Sequence, residues 1–131
     1  MKDLVVTLPT NDAYERNGRN LHDTKEMVRA FSYVKNDKKI ITVKWYMGRS
    51  SKSSVIYCSV WINASDICFS GTGKVGGYGY DKYSTSFENA CESAGILISP
   101  SISGVGENAI KDVLSEIGGI LGYPDGLIVC H

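Results

Sequence analysis

Glycine, lysine and tyrosine occur together in one short stretch near the middle of the chain. Five glycines fall within the nine positions 71–79, with lysines and tyrosines among them or beside them. Glycine permits positive φ angles and a close approach of the backbone to a ligand. Backbone N–H and ammonium groups suit phosphates, and tyrosine rings offer flat faces to a base. The stretch therefore predicts binding of a nucleotide-type ligand; its candidate contacts are Gly73, Lys74, Gly76, Gly77, Tyr78, Tyr80 and Lys82.

Further candidate ligand contacts lie outside the glycine stretch. Ser84 and Thr85 place hydroxyls and N–H donors at a predicted helix start, a common position for anions. Arg49 offers a fork of donors in a second flexible loop. Arg29 lies on a predicted strand, on the same side as Phe31.

The glycine pattern does not fit the common nucleotide-binding motifs. Gly71, Gly73 and Gly76 match the dinucleotide fingerprint by letter, but that motif opens a helix inside a βαβ unit, and here a meander precedes it. Gly73-Lys74 also resembles part of a phosphate-binding Walker loop. However, Val75 occupies its Ser/Thr position, and Cys68 stands where its first glycine belongs. We therefore expect neither a Rossmann site nor a Walker site.

The residues that enzymes use for bond making are sparse. The chain has two histidines, His22 in the N-terminal part and His131 at the end. No serine lies in a nucleophile elbow, and no ligand cluster for a metal is evident. The four cysteines show no C-x-x-C spacing, and we expect all four to be reduced core residues. Binding without turnover, with no cofactor and no metal, is the function that remains.

Composition and charge restrict the class of protein. The 131 residues predict a single ligand-binding domain, and 43 % apolar residues are enough for a core. No apolar run is long enough to cross a membrane, so we expect a cytoplasmic protein without a membrane partner. The 14 basic and 14 acidic side chains balance, with the basic excess in residues 1–56. A non-specific binder of nucleic acid polymers usually has a clear basic excess, so we expect no such partner.

The order of predicted elements indicates an α+β fold. Strands are expected at residues 3–8, 27–34, 39–47, 55–62 and 67–70, since Val, Ile and aromatic residues dominate them. Short turn-like connections between the middle four favour an antiparallel meander. Shorter extended pieces are expected at 96–98 and 127–130, and residues 1–24 should include an N-terminal arm. The fold class is thus an antiparallel β-meander of four to six strands with two C-terminal helices packed on one face.

Two helices should follow the glycine stretch. The first is expected from Ser84 or Thr85 to Ala94, with Gly95 at the C′ position. Thr85 is the better cap, because Glu88 three residues later would complete a capping box. The second is expected from Glu107 to about Leu121, with Glu107 in the first turn, where the helix dipole favours an acid.

The face of the sheet opposite the two helices is predicted to be aromatic and partly apolar. Neither side of the predicted strands is cleanly polar, whereas a sheet with one open face should alternate sharply. Such a face indicates self-association. The alternative is a sheet covered on this side by its own arm and loops.

The chain resembles a phage and prophage family. The resemblance is carried by Tyr57 to Trp61, by the run Ser70 to Lys82, and by a helix ending in Ser93-Ala94-Gly95-Ile96. Members of the family read SGSGKAGGYGYHK, then a helix and AGI; Asp81 stands here in place of their histidine. We identify the family as the first-described Thoeris anti-defence proteins, and the likeness covers about residues 27–130.

The resemblance implies a sponge that binds cyclic ADP-ribose isomers, and in some members cyclic oligonucleotides, without cleaving them. It also implies a homo-oligomer built on dimers (a dimer or a trimer of dimers) in the cytosol of the infected host. Arginines and aromatic residues would hold pyrophosphate and adenine; the residues chosen on this basis are Arg29, Arg49, Trp61, Phe87 and Asn89. Two alternatives stay open: a protein inhibitor of a host defence effector, and a small nucleotide hydrolase.

Overall fold

The structure, a computed structural model, describes residues 3–9, 25–48, 55–74 and 81–131. Within these residues, seven strands and two α-helices follow one another in an α+β arrangement, which confirms the predicted fold class. The strands are β1 (Val5–Thr7), β2 (Lys25–Lys35), β3 (Lys38–Gly48), β4 (Val55–Ile62), β5 (Ile67–Lys74), β6 (Leu97–Ser99) and β7 (Leu127–Cys130). The helices are α1 (Lys82–Ser93) and α2 (Glu107–Ile120), and one 3-10 turn spans Asn63–Ser65.

Five strands form the main sheet in the order β5-β4-β3-β2-β7, and every pairing in it is antiparallel. The β2–β3 connection is a two-residue turn in which Asn36 and Asp37 both have positive φ. This geometry suits the right-handed twist of the flanking strands, so the predicted meander is confirmed. The short strands β1 and β6 pair with each other in a separate ribbon.

Both helices pack on one face of the main sheet, which we call the inner face. Trp45 of β3 lies under α1, where its indole N–H is 3.1 Å from the hydroxyl of Ser86. Tyr33 of β2 lies under α2, against the backbone of Gly118. The predicted packing of both helices on one face is therefore confirmed. The core between the sheet and the helices includes Phe31, Val43, Val60, Phe69, Phe87, Ile110, Val113 and Leu114, all fully buried.

The last strand before α1 is longer than the sequence indicates. β5 continues through Gly71, Thr72 and Gly73 to Lys74, where we predicted a loop from position 71. A Cβ on Gly71 would lie 2.2 Å from the backbone nitrogen of Ala90, and one on Gly73 2.9 Å from that of Ser86. These two glycines are therefore spacers that let α1 approach the sheet, a role that the sequence pattern did not separate from ligand binding.

Side chains of α1 also bind the backbone of β5, the strand at one edge of the main sheet. The amide of Asn89 donates to the carbonyl of Thr72 at 2.6 Å, and the hydroxyl of Ser93 donates to the carbonyl of Ser70 at 2.9 Å. Polar groups of an edge strand that lack a neighbouring strand need such partners. This role accounts for Asn89, which we expected to contact a ligand.

The second face of the sheet, the outer face, carries small buried side chains beneath larger ones. Ser32, Ser59 and Cys68 are fully buried there, and Tyr57 and Trp61 are half-buried. The indole N–H of Trp61 lies 3.2 Å from the hydroxyl of Ser59. The aromatic character expected of this face is present. Residues 10–24, which include most of the predicted arm, lie outside the described residues.

Three of the four cysteines are core residues, as predicted, and the fourth is not. Cys58, Cys68 and Cys91 are buried free thiols, whereas Cys130 in β7 is exposed. Burial raises the pKa of the Cys58 thiol well above its ordinary value of 9.0, and it also raises the pKa of Cys91, with the Glu88 carboxylate adding to the effect. Cys130 is exposed because β7 is the edge strand at the other side of the sheet.

We therefore expect one thiol per chain to react rapidly with an aromatic disulfide reagent at pH 7, because attack requires an accessible thiolate. Cys130→Ser should remove the rapid phase, while unfolding in denaturant should expose all remaining thiols. The time course of thiolate release at visible wavelengths measures this directly. Two or more rapid thiols in the native protein would contradict the burial described here.

Candidate functional site

The first helix begins one turn before the predicted start. Asp81 is the N-cap of α1, and its Oδ1 accepts hydrogen bonds from the backbone N–H groups of Tyr83 at 2.8 Å and Ser84 at 3.3 Å. The predicted cap at Thr85 is therefore wrong by one turn. Aspartate is a preferred N-cap because its short carboxylate reaches the free donors of the first turn. That preference is the signal that could have located the helix start.

Thr85 and Glu88, the predicted capping pair, instead attach α1 to the connection that leads into α2. The Thr85 hydroxyl oxygen accepts from Gly104 N at 3.1 Å. The Glu88 carboxylate accepts from the backbone N–H groups of Ile102 and Ser103 and from the hydroxyls of Ser101 and Ser103. Five hydrogen bonds thus fix the chain just before α2 against the first turns of α1.

This attachment brings the starts of the two helices together. Gly106 is the N-cap of α2, and a Cβ placed on it would lie 3.9 Å from Oδ2 of Asp81. The positive ends of both helix dipoles therefore lie at one corner of the inner face. The Asp81 carboxylate binds the first N–H groups of α1, whereas no side-chain cap binds those of α2 among the described residues. Glu107 occupies the first turn of α2, as predicted.

Arg29 of β2 reaches this corner from the sheet. Its guanidinium carbon lies 5.1 Å from the centre of the Phe31 ring and 5.7 Å from that of Tyr83, within the range of cation–π contacts. Nη2 is 2.6 Å from Oε1 of Glu107, and the Arg29 side chain is 34 % exposed. Its buried Nε has no hydrogen-bond acceptor among the described residues.

Two lysines complete the corner. Nζ of Lys82 lies 5.4 Å from the Tyr83 ring, and Nζ of Lys111 lies 5.7 Å from the Phe31 ring. Lys111 was not among the predicted site residues. Its spacing of four from Glu107 places both on one side of α2, which is the signal that could have found it. We call this group the helix-start corner; it consists of Arg29, Phe31, Asp81, Lys82, Tyr83, Glu107 and Lys111.

The structure brings some predicted site residues to the corner and separates others from it. Arg29 and Lys82 belong to it. Ser84 is buried in the first turn of α1, where its hydroxyl donates to the carbonyl of Asp81 at 3.2 Å. Phe87 is fully buried in the core, and Trp61 lies on the outer face. Lys74 ends β5 and its side chain is not described; Arg49, Gly76, Gly77, Tyr78 and Tyr80 lie outside the described residues.

One serine and one histidine are close enough to suggest catalysis, but the serine is inaccessible. Ser32 Oγ and His131 Nε2 are 2.9 Å apart. Ser32 is fully buried, so its oxygen cannot attack a substrate from solvent. Within the described part of the chain, no three His, Cys, Asp or Glu side chains are placed to share a metal ion. In the same part, no helix has the length and apolarity needed to cross a membrane.

Comparison with known proteins gives no match for this chain, whether with family models, curated proteins or solved structures.

Proposed function

We propose that this protein is a phage anti-defence sponge that binds a cyclic nucleotide signal, such as a cyclic ADP-ribose isomer, and holds it without cleaving it. The observation that supports this most is the position of Arg29, a partly exposed guanidinium held against two aromatic rings where two helices begin. The sequence resemblance supplies the ligand class. The proposal includes a homo-oligomer that acts in the cytosol of the infected host.

The corner suits a pyrophosphate because its positive groups are close together. The cations Arg29, Lys82 and Lys111 outnumber the carboxylates Asp81 and Glu107. A guanidinium has five N–H donors in a plane, and it can keep Glu107 on one side while it binds phosphate oxygens on another. The free N–H groups at the start of α2 add further donors for an anion.

The same corner offers a surface for a flat base. Tyr83 is half-buried, and its ring contacts Trp45 edge to face at a centroid distance of 5.6 Å. That contact fixes the ring, so a base can stack on it at little further entropic cost. Residues 75–80 connect Lys74, the last residue of β5, to Asp81 of the corner. This segment contains Gly76, Gly77, Tyr78 and Tyr80, which are therefore close to the corner in sequence.

Sequestration, rather than turnover, is what these groups support. Arginine, lysine and aromatic side chains bind phosphates and bases, and a sponge needs slow release rather than a nucleophile. Ser32 is fully buried, so the Ser32–His131 pair does not supply the hydrolase alternative with an accessible serine nucleophile.

Retention of intact ligand tests the proposal. The protein is incubated with cyclic ADP-ribose isomers and cyclic oligonucleotides, separated from free ligand, and denatured by heat; the released molecule is identified by chromatography. We expect intact ligand. Arg29→Ala should weaken binding on the order of 10- to 100-fold, since it removes a charged hydrogen-bond donor, whereas Arg29→Lys should lose less.

Lys38→Ala is the matched control, because Lys38 is exposed at the start of β3, next to the β2–β3 turn, whereas Arg29 lies toward the other end of the same hairpin. It removes one positive charge and should leave retention unchanged. A thermal melt of each variant separates lost binding from lost fold. Recovery of altered ligand would identify an enzyme. No retention by the native protein would reject the sponge and favour the inhibitor of a host effector.

A further inference from the structure

Trp61 lies on a different surface from the helix-start corner. In β4, Cys58 and Val60 face inward with Trp45 and Val43, while Trp61 is paired with Thr42 on the outer face. A groove of about 380 Å³ opens beside the indole. Its described lining consists of Lys39, Thr42, Lys44, Trp61 and Asn63. We call it the outer-face groove.

We propose that the outer-face groove is a second binding site, and that it takes a planar aromatic ring bearing a phosphate, the chemistry of a nucleoside monophosphate. The proposal does not depend on the function assigned to the helix-start corner, because the two sites share no residue and lie on opposite faces of the sheet.

The charged residues among the described lining of the groove are all basic. Lys39 and Lys44 both line it, and no carboxylate is among its described lining residues. The ammonium of Lys44 lies 5.9 Å from the centre of the Trp61 ring. Two lysines at one opening favour a phosphate, which can accept from both.

The indole of Trp61 and the side-chain amide of Asn63 supply the contacts to the base. Trp61 is half-buried, so part of its surface faces the groove, and its N–H is directed to Ser59. A base can stack on an indole, since such stacking needs only a flat π face. Asn63 donates to the Thr42 hydroxyl at 2.8 Å, which holds the amide at the wall with its carbonyl oxygen available to a base N–H.

The size of the groove also fits. Pockets for small ligands are typically about 300–1,000 Å³ and combine apolar walls with a few placed polar groups. A volume near the lower limit suits a mononucleotide better than a larger cyclic dinucleotide. The groove and the corner should therefore select different molecules.

Tryptophan fluorescence provides the test, because Trp45 is fully buried while Trp61 lines the groove. Titration with adenosine monophosphate should quench the Trp61 emission with saturation. Adenosine alone and inorganic phosphate alone should each bind at least about tenfold more weakly than adenosine monophosphate, since each lacks one of the two contacts. Trp61→Leu should abolish the quenching.

Lys44→Gln should weaken adenosine monophosphate binding about tenfold, the amount expected for loss of one charged contact. The controls are Lys38→Ala, a lysine of the same hairpin outside the groove, and Arg29→Ala at the corner; both should bind within about twofold of the native protein. Lack of saturable quenching in the native protein overturns the proposal. So does a Lys44→Gln variant that binds as well as Lys38→Ala, or an Arg29→Ala variant that loses the signal.

Discussion

Gly71→Ala should destabilise the protein by about 3 kcal/mol or more, the upper range for overpacking in a closed core. The added Cβ would lie 2.2 Å from the nitrogen of Ala90 and 2.6 Å from the carbonyl carbon of Asn89. Both are backbone atoms of α1, so no side-chain rotation relieves the contact. The helix would have to move away from β5, and the hydrogen bonds from Asn89 and Ser93 to that strand would lengthen.

Denaturant unfolding followed by circular dichroism measures this change, with Thr72→Val as the control. Thr72 is the next residue of the same strand, and its side chain is exposed on the outer face. Valine keeps the β-branched shape, so we expect a change within about 0.5 kcal/mol. Equal stability of Gly71→Ala and the native protein would show that α1 does not cross β5 at this position.

The two adjacent glycines near the end of α2 should respond in opposite directions to the same substitution. A Cβ on Gly118 would lie 2.2 Å from Cε1 of Tyr33, whereas one on Gly119 would meet nothing within 4 Å. The Tyr33 ring cannot move aside, because its hydroxyl donates to the carbonyl of Tyr123 at 2.5 Å and accepts from Gly126 N at 2.8 Å. We expect Gly118→Ala to cost about 2–3 kcal/mol.

Gly119→Ala should instead stabilise the protein by up to about 1 kcal/mol, the difference in helix propensity between the two residues. The two variants share the same change in composition and nearly the same place in the helix, so the difference between their unfolding free energies isolates the Tyr33 contact. If both variants are stabilised, the ring of Tyr33 does not lie under Gly118.

The sequence predicted the strands and helices because their patterns are local. β4 and β7 have the predicted bounds, and α2 begins at Glu107 as expected. The end of α1 also follows a local signal. Gly95 has a φ of +76°, and the hydrogen bonds from Gly95 N to Glu92 and from Ile96 N to Cys91 close the helix in a Schellman motif.

The candidate site was less predictable because it depends on tertiary contacts. Glycine at 71 and 73 looks the same in sequence whether it serves a ligand or a crossing helix, and only the position of α1 separates the two. Arg29 lies on β2 on the side of Phe31, as the alternation of the strand predicts. Its contact with Glu107 joins residues far apart in sequence, which no local pattern specifies. The separation of Trp61 from Arg29 became visible only from the register of β3 and β4.

The hydrogen bonds from Asn89 and Ser93 make the two margins of the sheet unequal. On the β5 margin the carbonyls of Ser70 and Thr72 are already taken, so an incoming strand would have to displace a helix. The β7 margin ends in Leu127 and Val129, both exposed. A fibre needs two open margins on every molecule. Because the β5 margin is blocked, strand addition can join two chains only through their β7 margins, and growth stops at that pair.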